Sequence, residues 1–225
     1  MSRAIRDEIT GLILSRGLGP GDPVPTETEL VDALGVSRNS VREALKALQA
    51  LDIVEIRHGF GTYVGRLSLD PLADGLTFRA LRDIGRDLRS LAEILEVREA
   101  LENALIRRVA AEVPEADLAT LDEIVRRMNE RAESGGTFAD EDREFHEVLY
   151  RSLNNSLVTQ LLRAFWDVFH RVGHRLDADP DPARTVRRHR AIVDALRERD
   201  PARAEVAMTA HFRDVNVRTA RPRSG

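Results

Sequence analysis

Apolar residues recur at helical spacing along most of the chain, and the pattern changes near residue 66. Before that residue, short amphipathic segments alternate with turn signals rich in glycine and proline. After it, long amphipathic segments are separated by short loops. We therefore expect a mainly α chain with a small unit at 1–66, a linker containing a short helix at 67–86, and an all-helical domain at 87–220.

The small unit begins with the pattern of three helices. Helical spacing predicts the first helix over about residues 2–16. Thr26 and Glu29 have the spacing of a capping box, so a second helix begins there and ends before the next glycine. Ser37 is placed to cap a third helix, which runs to about Leu51.

Two β-prone runs follow the third helix, at 53–57 and 62–64. The four residues between them, His-Gly-Phe-Gly, have the composition of a hairpin turn. Three helices followed by a two-stranded hairpin form a winged helix-turn-helix, with a short turn between helices two and three. The N-terminal unit is therefore predicted to be a winged helix-turn-helix.

The third predicted helix has two contrasting faces. Its apolar arc consists of Val41, Ala44, Leu45, Leu48 and Leu51. The adjoining arc carries long polar side chains, namely Arg38, Asn39, Arg42, Lys46 and Gln49. A recognition helix in a DNA major groove needs such donors for phosphates and base edges. A solvated helix face is the alternative, but Lys46 is the only lysine of the chain and Glu43 is the only acid on this stretch.

Three stretches of this unit resemble the GntR family of bacterial transcriptional regulators over about the first 65 residues: Pro25 to Leu30, Gly35 to Leu45, and Gly59 to Val64. The resemblance implies that Arg38 and Arg42 contact DNA, with Asn39 and Ser40 beside them. It also implies that the wing tip at His58 and Gly59 approaches the minor groove. The candidate DNA-contacting residues are Thr26, Thr28, Ser37, Arg38, Asn39, Ser40, Arg42, Lys46, His58 and Gly59.

Two residues depart from the pattern of this family. Many relatives carry arginine where this chain has Thr28, which puts one DNA contact in doubt. Many also carry glycine where this chain has Asp52, and aspartate adopts left-handed backbone geometry better than most residues. Neither departure removes the motif.

The second half of the chain has the pattern of a helical bundle. Six helices are predicted, near 87–112, 115–133, 138–152, 156–176, 182–198 and 201–219. A shorter helix at about 71–81 is expected in the linker. Asp200 and Pro201 form a start signal for the last helix.

Three of these helices carry a histidine where the pattern calls for an apolar residue. His146 lies one turn after Asp142 on one helix, and His189 and His211 lie among apolar residues on two others. A single inward histidine is usually a hydrogen-bonded core residue. Three histidines and one carboxylate on facing helices form a ligand set for a divalent metal, with zinc favoured and nickel, manganese or iron as alternatives.

Arg98 is also predicted to face the interior of the bundle, because it shares an arc with leucine and isoleucine residues. A buried guanidinium needs an anionic partner. That partner is either an internal acid or the carboxylate of a small effector. His170 and His174 are four residues apart on a mostly polar arc, where a pocket wall or a solvated face is favoured over a second metal site.

Most of residues 88–219 resemble the FCD effector domain of the FadR subfamily. The resemblance is carried by Arg98 with Glu102, Asp142 with His146, the His189 motif, and His211. It implies that Asp142, His146, His189 and His211 bind a divalent metal, that a small organic acid binds near the metal and the arginine, and that the protein forms a homodimer.

Composition excludes several kinds of chemistry and of membrane attachment. The 225 residues include no cysteine, which excludes disulfides and thiol chemistry. No stretch approaches the roughly 20 apolar residues that span a bilayer, and charges interrupt the first residues too often for a signal peptide, so a cytoplasmic protein without a membrane partner is expected. The net charge of −4 decides nothing, because an acidic domain can mask a basic face.

We conclude from the sequence that the chain is a DNA-binding transcriptional regulator, in the favoured case a metabolite-responsive repressor. As a homodimer it is expected to bind double-stranded DNA at a palindromic operator. A metal-dependent enzyme acting on a small carboxylate is the first alternative, although these motifs offer no convincing nucleophile or general base. A regulator with a metal-free ligand pocket is the second.

Overall fold

The computed structural model describes residues 2–83, 88–173 and 179–219, and the chain divides into two compact units, Met1–Leu72 and Ala73–Gly225. The first unit contains α1 (Ser2–Ser15), α2 (Glu27–Leu34), α3 (Arg38–Gln49), β1 (Val54–Arg57) and β2 (Gly61–Val64). The prediction of a winged helix-turn-helix is confirmed, because three helices precede a two-stranded antiparallel hairpin.

The capping signals predicted from the sequence are present at both helices of the helix-turn-helix. The Thr26 side chain accepts from the Glu29 backbone N–H, and the Glu29 carboxylate accepts from the Thr26 backbone N–H. Ser37 caps α3 by accepting from the Ser40 backbone N–H at 3.2 Å. These bonds fix where α2 and α3 begin.

The hairpin pairs Val54 with Val64 and ends where Arg57 pairs with Gly61. Asp52, before the first strand, has a φ of 57°, so it takes the left-handed geometry that aspartate adopts better than most residues. A side chain at Gly65 would place its Cβ 2.3 Å from the Asp52 carbonyl oxygen. Glycine is therefore required where the chain leaves the wing.

The core of the first unit lies between α1, α2, α3 and the hairpin. Its fully buried side chains include Ile9, Leu30, Val41 and Leu45. Val54 and Val64, which are paired across the hairpin, are also buried and join this core. The apolar arc of α3 therefore packs inward, which leaves its polar arc outside.

Helix α4 (Asp70–Asp83) precedes the bundle of six helices: α5 (Arg89–Glu112), α6 (Glu115–Glu133), α7 (Ala139–Leu149), α8 (Ser156–Gly173), α9 (Pro182–Arg197) and α10 (Pro201–Thr219). The predicted mainly α fold is confirmed. Helix α7 ends at Leu149, earlier than predicted, because a short 3-10 turn and the left-handed Asn154 follow it. Asn155 then caps α8, since its side-chain oxygen accepts from the backbone N–H groups of Leu157 and Val158.

The bundle core is built where α5 and α9 pack on α10 and where α6 packs on α7 and α9. Apolar side chains fill it, with Leu91, Leu121 and Phe145 fully buried. The same core also encloses five polar side chains, which is an unusual number for a bundle interior: Arg98, Glu102, His146, His189 and His211. Within the described ranges, no helix is both long enough and apolar enough to cross a bilayer.

A candidate metal centre and a candidate DNA-contacting surface

The four predicted metal ligands converge in the bundle. Asp142 and His146 lie one turn apart on α7, His189 lies on α9, and His211 lies on α10. One ligating atom from each residue lies within 4.8 Å of the corresponding atoms of the other three. All three histidines are buried, and Asp142 is half-buried. The structure therefore brings together the whole set that the sequence singled out.

Several atoms in this cluster are buried and have no hydrogen-bond partner within the part of the chain that the structure describes. They are Asp142 Oδ1, His146 Nε2, His189 Nε2 and His211 Nδ1. His189 Nε2 lies 2.6 Å from Asp142 Oδ1, but their approach lacks the geometry of a hydrogen bond. Buried polar atoms are rarely left unpaired, and a divalent cation satisfies imidazole nitrogens and a carboxylate together. These residues therefore fit a metal ion.

Hydrogen bonds on the far side of two imidazoles decide which nitrogen faces the cluster. His146 Nδ1 lies 2.6 Å from Glu102 Oε2, and His189 Nδ1 lies 2.9 Å from the Thr185 carbonyl oxygen. Because both partners accept, the single proton of each neutral imidazole lies on Nδ1, and Nε2 then keeps a free lone pair. This is the arrangement that histidine ligands to metals usually show.

Glu102 is fully buried and accepts from three side chains. Arg98 Nε donates to Oε1 at 2.5 Å, while Oε2 accepts from His146 at 2.6 Å and from the Tyr150 hydroxyl at 2.9 Å. Burial raises the pKa of Glu102, but Arg98 and His146 outweigh it and lower the pKa to about 2. Burial and the nearby Glu102 charge raise the pKa of Tyr150 well above its ordinary value, so the phenol stays a donor.

From the sequence, Glu102 is evident only as part of the resemblance to the FCD domain, and its contacts with His146 and Tyr150 were not predicted. The available signal was its position four residues after Arg98, which puts both side chains on the same inward face of α5.

The sequence left open whether Arg98 pairs with an internal acid or with an effector. The structure shows an internal acid, and the guanidinium also keeps a donor that this acid does not use. Its Nε pairs with Glu102, whereas its buried Nη2 has no hydrogen-bond partner among the described residues. The guanidinium carbon lies 4.1 Å from the centre of the Trp166 ring, which in turn lies 5.1 Å from the His146 ring. Trp166 Nε1 is likewise buried without a partner. Two unpaired N–H donors therefore lie close to the histidine cluster.

Two residues of this cluster, His211 and Asp142, have shifted pKa values. Burial lowers the pKa of His211 well below its ordinary value, and the neighbouring His189, His146 and Arg98 lower it further. Burial raises the pKa of Asp142, but the attraction of the protonated forms of His189 and His146 and of Arg98 for the carboxylate outweighs this, so the net pKa is lowered. A neutral imidazole and an ionised carboxylate are the forms that bind metals.

Of the other histidine pair, only His170 lies within the described residues. His170 is exposed and joins no cluster of metal-ligating side chains within the described residues. His174 lies outside the described residues.

The predicted recognition helix has an apolar and a polar face, but it ends at Gln49. Leu51, which was predicted for the apolar face, lies beyond the helix and is 48% exposed. Val41, Ala44, Leu45 and Leu48 are buried. The polar side chains Arg38, Asn39, Arg42 and Lys46 are exposed on the other side. At the tip of the wing, His58 and Gly59 are also exposed, and Gly59 has a φ of 80°. The candidate DNA-contacting side chains of α3 and the wing are thus accessible.

Residues around α2 contact the cations of α3. Arg42 Nε donates to both oxygens of Glu27, at 3.0 and 2.8 Å, and Arg38 donates to the Thr28 hydroxyl at 3.3 Å. Lys46 pairs with Glu43 of the same helix at 3.0 Å. Thr26, Ser37 and Ser40 take part in the caps, so their side chains hold the helix ends in place.

Both halves of the chain match known protein families. Residues 93–214 match the FCD domain, and residues 1–64 match the family described as bacterial regulatory proteins, gntR family. An HTH-type transcriptional regulator of Bacillus subtilis, YcbG, is 29% identical over 216 residues, covering 96% of this chain and 88% of the relative. The HTH-type transcriptional repressor NanR of Salmonella arizonae is 28% identical over 225 residues, covering 96% and 83%.

A solved structure extends this likeness to the fold. Streptococcus agalactiae GntR superposes with a TM-score of 0.67 at 27% sequence identity, and the match covers 96% of this chain and 99% of that one. These families and relatives are transcriptional regulators. The metalloenzyme alternative is therefore set aside.

Proposed function

The chain belongs to the GntR-type transcriptional regulators that carry an FCD domain, and from this premise we propose that it is a metal-dependent, metabolite-responsive repressor. DNA binding and regulation of transcription follow from the family. The metal, the effector and the sign of the response are our proposal. Repression is the favoured sign, and the relative NanR is named a transcriptional repressor.

The observation that carries the proposal is the convergence, from three helices, of four buried ligand atoms that have no hydrogen-bond partner among the described residues. Asp142, His146, His189 and His211 would hold a divalent cation. Zinc is favoured because imidazoles and a carboxylate suit it, while nickel, manganese and iron accept the same ligands. The cation would supply a Lewis-acidic anchor for an oxygen of the effector.

The effector is proposed to be a small organic acid. Arg98 Nη2 and Trp166 Nε1 are buried donors that have no hydrogen-bond partner in the described ranges, and an acceptor-only carboxylate matches them. Glu102 already neutralises Arg98 through Nε. An effector carboxylate would therefore add an interaction that is absent before the effector binds. If this interaction is stronger in one conformation than in the other, effector binding shifts the equilibrium between them.

On the DNA side, we propose that Arg38, Asn39, Ser40 and Arg42 contact an operator half-site in the major groove, with the wing residues His58 and Gly59 alongside. Lys46 would contact a DNA phosphate. The ends of the two helices would be positioned against the DNA backbone by Thr26, Thr28 and Ser37. A homodimer with domains at 1–66 and 87–220 would place two such heads on a palindrome in the cytoplasm, where bacterial DNA lies.

The test begins by selecting duplexes from a random pool with the purified full chain. Binding to a selected duplex is then measured by fluorescence anisotropy with zinc, with EDTA, and with zinc plus a panel of sugar acids, hydroxy acids and dicarboxylates. We expect a palindromic consensus and weaker DNA binding with zinc plus one class of acid. An acid that releases DNA equally well in EDTA would instead support a metal-free pocket.

A further inference from the structure

Glu27 holds the Arg42 side chain from a neighbouring helix. The Arg42 Nε–H points between the two Glu27 oxygens, at distances of 3.0 and 2.8 Å. Glu27 is the first residue of α2, directly after the Thr26 cap, so its backbone position is fixed by the capping box. Among the described contacts of the recognition helix, this ion pair joins α3 to α2, whereas the Lys46–Glu43 pair lies within α3.

This contact leaves a defined part of the guanidinium available. Arginine presents its N–H groups in a rigid planar fork, and reading guanine requires two parallel donors aimed at O6 and N7. Because Nε donates to Glu27, the remaining two parallel donors that can read a base are Nη1 and Nη2, which form the outer edge of the guanidinium. The Arg42 side chain is 56% exposed, so this edge is accessible to a partner.

We propose that Glu27 is a positioning residue that sets DNA sequence specificity by presenting the Nη1–Nη2 edge of Arg42 to a guanine. The inference rests on the proposed contact between Arg42 and DNA. Its consequence is a division of labour, because Arg42 would touch the base while Glu27 would decide which edge of Arg42 does so. An arginine freed from Glu27 can adopt other rotamers and pair with a phosphate instead.

The charge of Glu27 gives the proposal a distinctive signature. A carboxylate near the DNA-contacting surface repels phosphates, so it weakens binding to every sequence. Removing the charge should therefore leave non-specific binding unchanged or strengthen it. Losing the orientation of Arg42 should weaken only the binding that depends on the guanine. A residue that mattered solely for folding would produce neither pattern.

The experiment measures a specificity ratio, which is the Kd for a scrambled duplex divided by the Kd for a duplex selected by the wild-type chain. The full-length variants are Glu27→Gln, Arg42→Ala, the double variant, and Glu43→Gln as a control. Glu43→Gln removes the same charge from the same surface but leaves the Glu27–Arg42 pair intact. Glu27→Asp keeps the charge and shortens the side chain. Circular dichroism verifies that each variant is folded.

We expect Glu27→Gln to lower the specificity ratio about tenfold, a loss of part of the discrimination that a bidentate contact provides. Binding of the scrambled duplex should be unchanged or tighter. Glu43→Gln should leave the ratio within about twofold, and Glu27→Gln should have no further effect once Arg42 is alanine, because coupled residues are non-additive. Glu27→Asp should also lower the ratio, and it serves as the test if Glu27→Gln does not fold.

An unchanged ratio in Glu27→Gln or Glu27→Asp would overturn the inference. Equal tightening on both duplexes would also overturn it, since Glu27 would then merely sequester Arg42. Failure of the underlying proposal looks different: in that case Arg42→Ala itself would leave binding of the selected duplex intact.

Discussion

Replacing Glu102 with glutamine tests the buried network behind the candidate metal centre. The substitution keeps the size of the side chain and removes its charge. In the wild-type chain, the carboxylate accepts from Arg98 at 2.5 Å, from His146 at 2.6 Å and from Tyr150 at 2.9 Å. A glutamine can accept at only one of its two terminal atoms, so one or more of these donors loses its partner.

The structure sets the size of two separate effects. Arg98 is 3% exposed, and breaking a buried ion pair by removing one partner costs about 3–5 kcal/mol. The retained amide oxygen offsets part of this, so we expect the helical unit to lose about 3 kcal/mol of unfolding free energy. Separately, His146 loses the acceptor that fixes its tautomer, and losing such a partner typically lowers metal affinity by about 10–100-fold.

The chain provides its own probe for both effects. Trp166 is the only tryptophan, and its ring lies 5.1 Å from the His146 ring. Its fluorescence therefore follows urea unfolding of the helical unit in EDTA. Zinc affinity is then measured in competition with a chromogenic chelator, under conditions in which the variant is folded. Glu96→Gln is the matched control, because it removes an exposed carboxylate from the same helix.

We expect Glu96→Gln to match the wild-type chain within experimental error in both measurements. If Glu102→Gln bound zinc as tightly as the wild-type chain, the assignment of Glu102 as the partner that orients His146 would be wrong. If unfolding in EDTA were unaffected, the importance of the Arg98–Glu102 pair would be refuted.

Three further outcomes follow from the same contacts. Arg42→Ala should weaken binding of the selected duplex by about 1–3 kcal/mol in an anisotropy titration, and intact affinity would exclude Arg42 as a base contact. Thr26→Ala removes the capping box of α2 and should lower the unfolding free energy of the first unit by about 0.5–2 kcal/mol, followed by circular dichroism in urea. The pKa of His211 is lowered on folding, so the unfolded chain takes up the proton first as pH falls below about 6.5. The metal-free protein should therefore lose stability as the pH falls below that value. Zinc affinity should also fall with pH, because protons compete with the metal for imidazole nitrogens. Equal stabilities in urea titrations of the metal-free protein at pH 5 and pH 7.5 would contradict the first expectation.

Local signals in the sequence were sufficient for most of the fold. Thr26 and Ser37 were predicted as caps and hold α2 and α3 as expected. Asp200 was predicted as a start signal and accepts from the backbone N–H groups of Ala202 and Arg203 at the beginning of α10. Such signals act over a few residues, so they can be read without knowing the tertiary structure.

The candidate metal centre was predictable for a different reason. A histidine among apolar residues at helical spacing must face the bundle interior, and three such helices in a small bundle leave few places for their side chains to meet. Periodicity gives the face of each helix, but it does not identify the neighbour across the interface. The contact between Glu102 on α5 and His146 on α7 therefore required the structure.

The same limit applies to the DNA-contacting surface. The polar arc of α3 was evident from the sequence, whereas its pairing partners were not. Glu27 precedes Arg42 by 15 residues across a turn, and no periodicity links the two positions. The turn between α2 and α3 determines this contact.

The central claim is that Asp142, His146, His189 and His211 hold one divalent cation, and metal analysis of the purified full chain tests it most directly. After reconstitution with zinc and removal of unbound metal by gel filtration, we expect about one equivalent per wild-type chain and far less in a folded His189→Ala variant. A wild-type content below about a tenth of an equivalent after reconstitution would contradict the account.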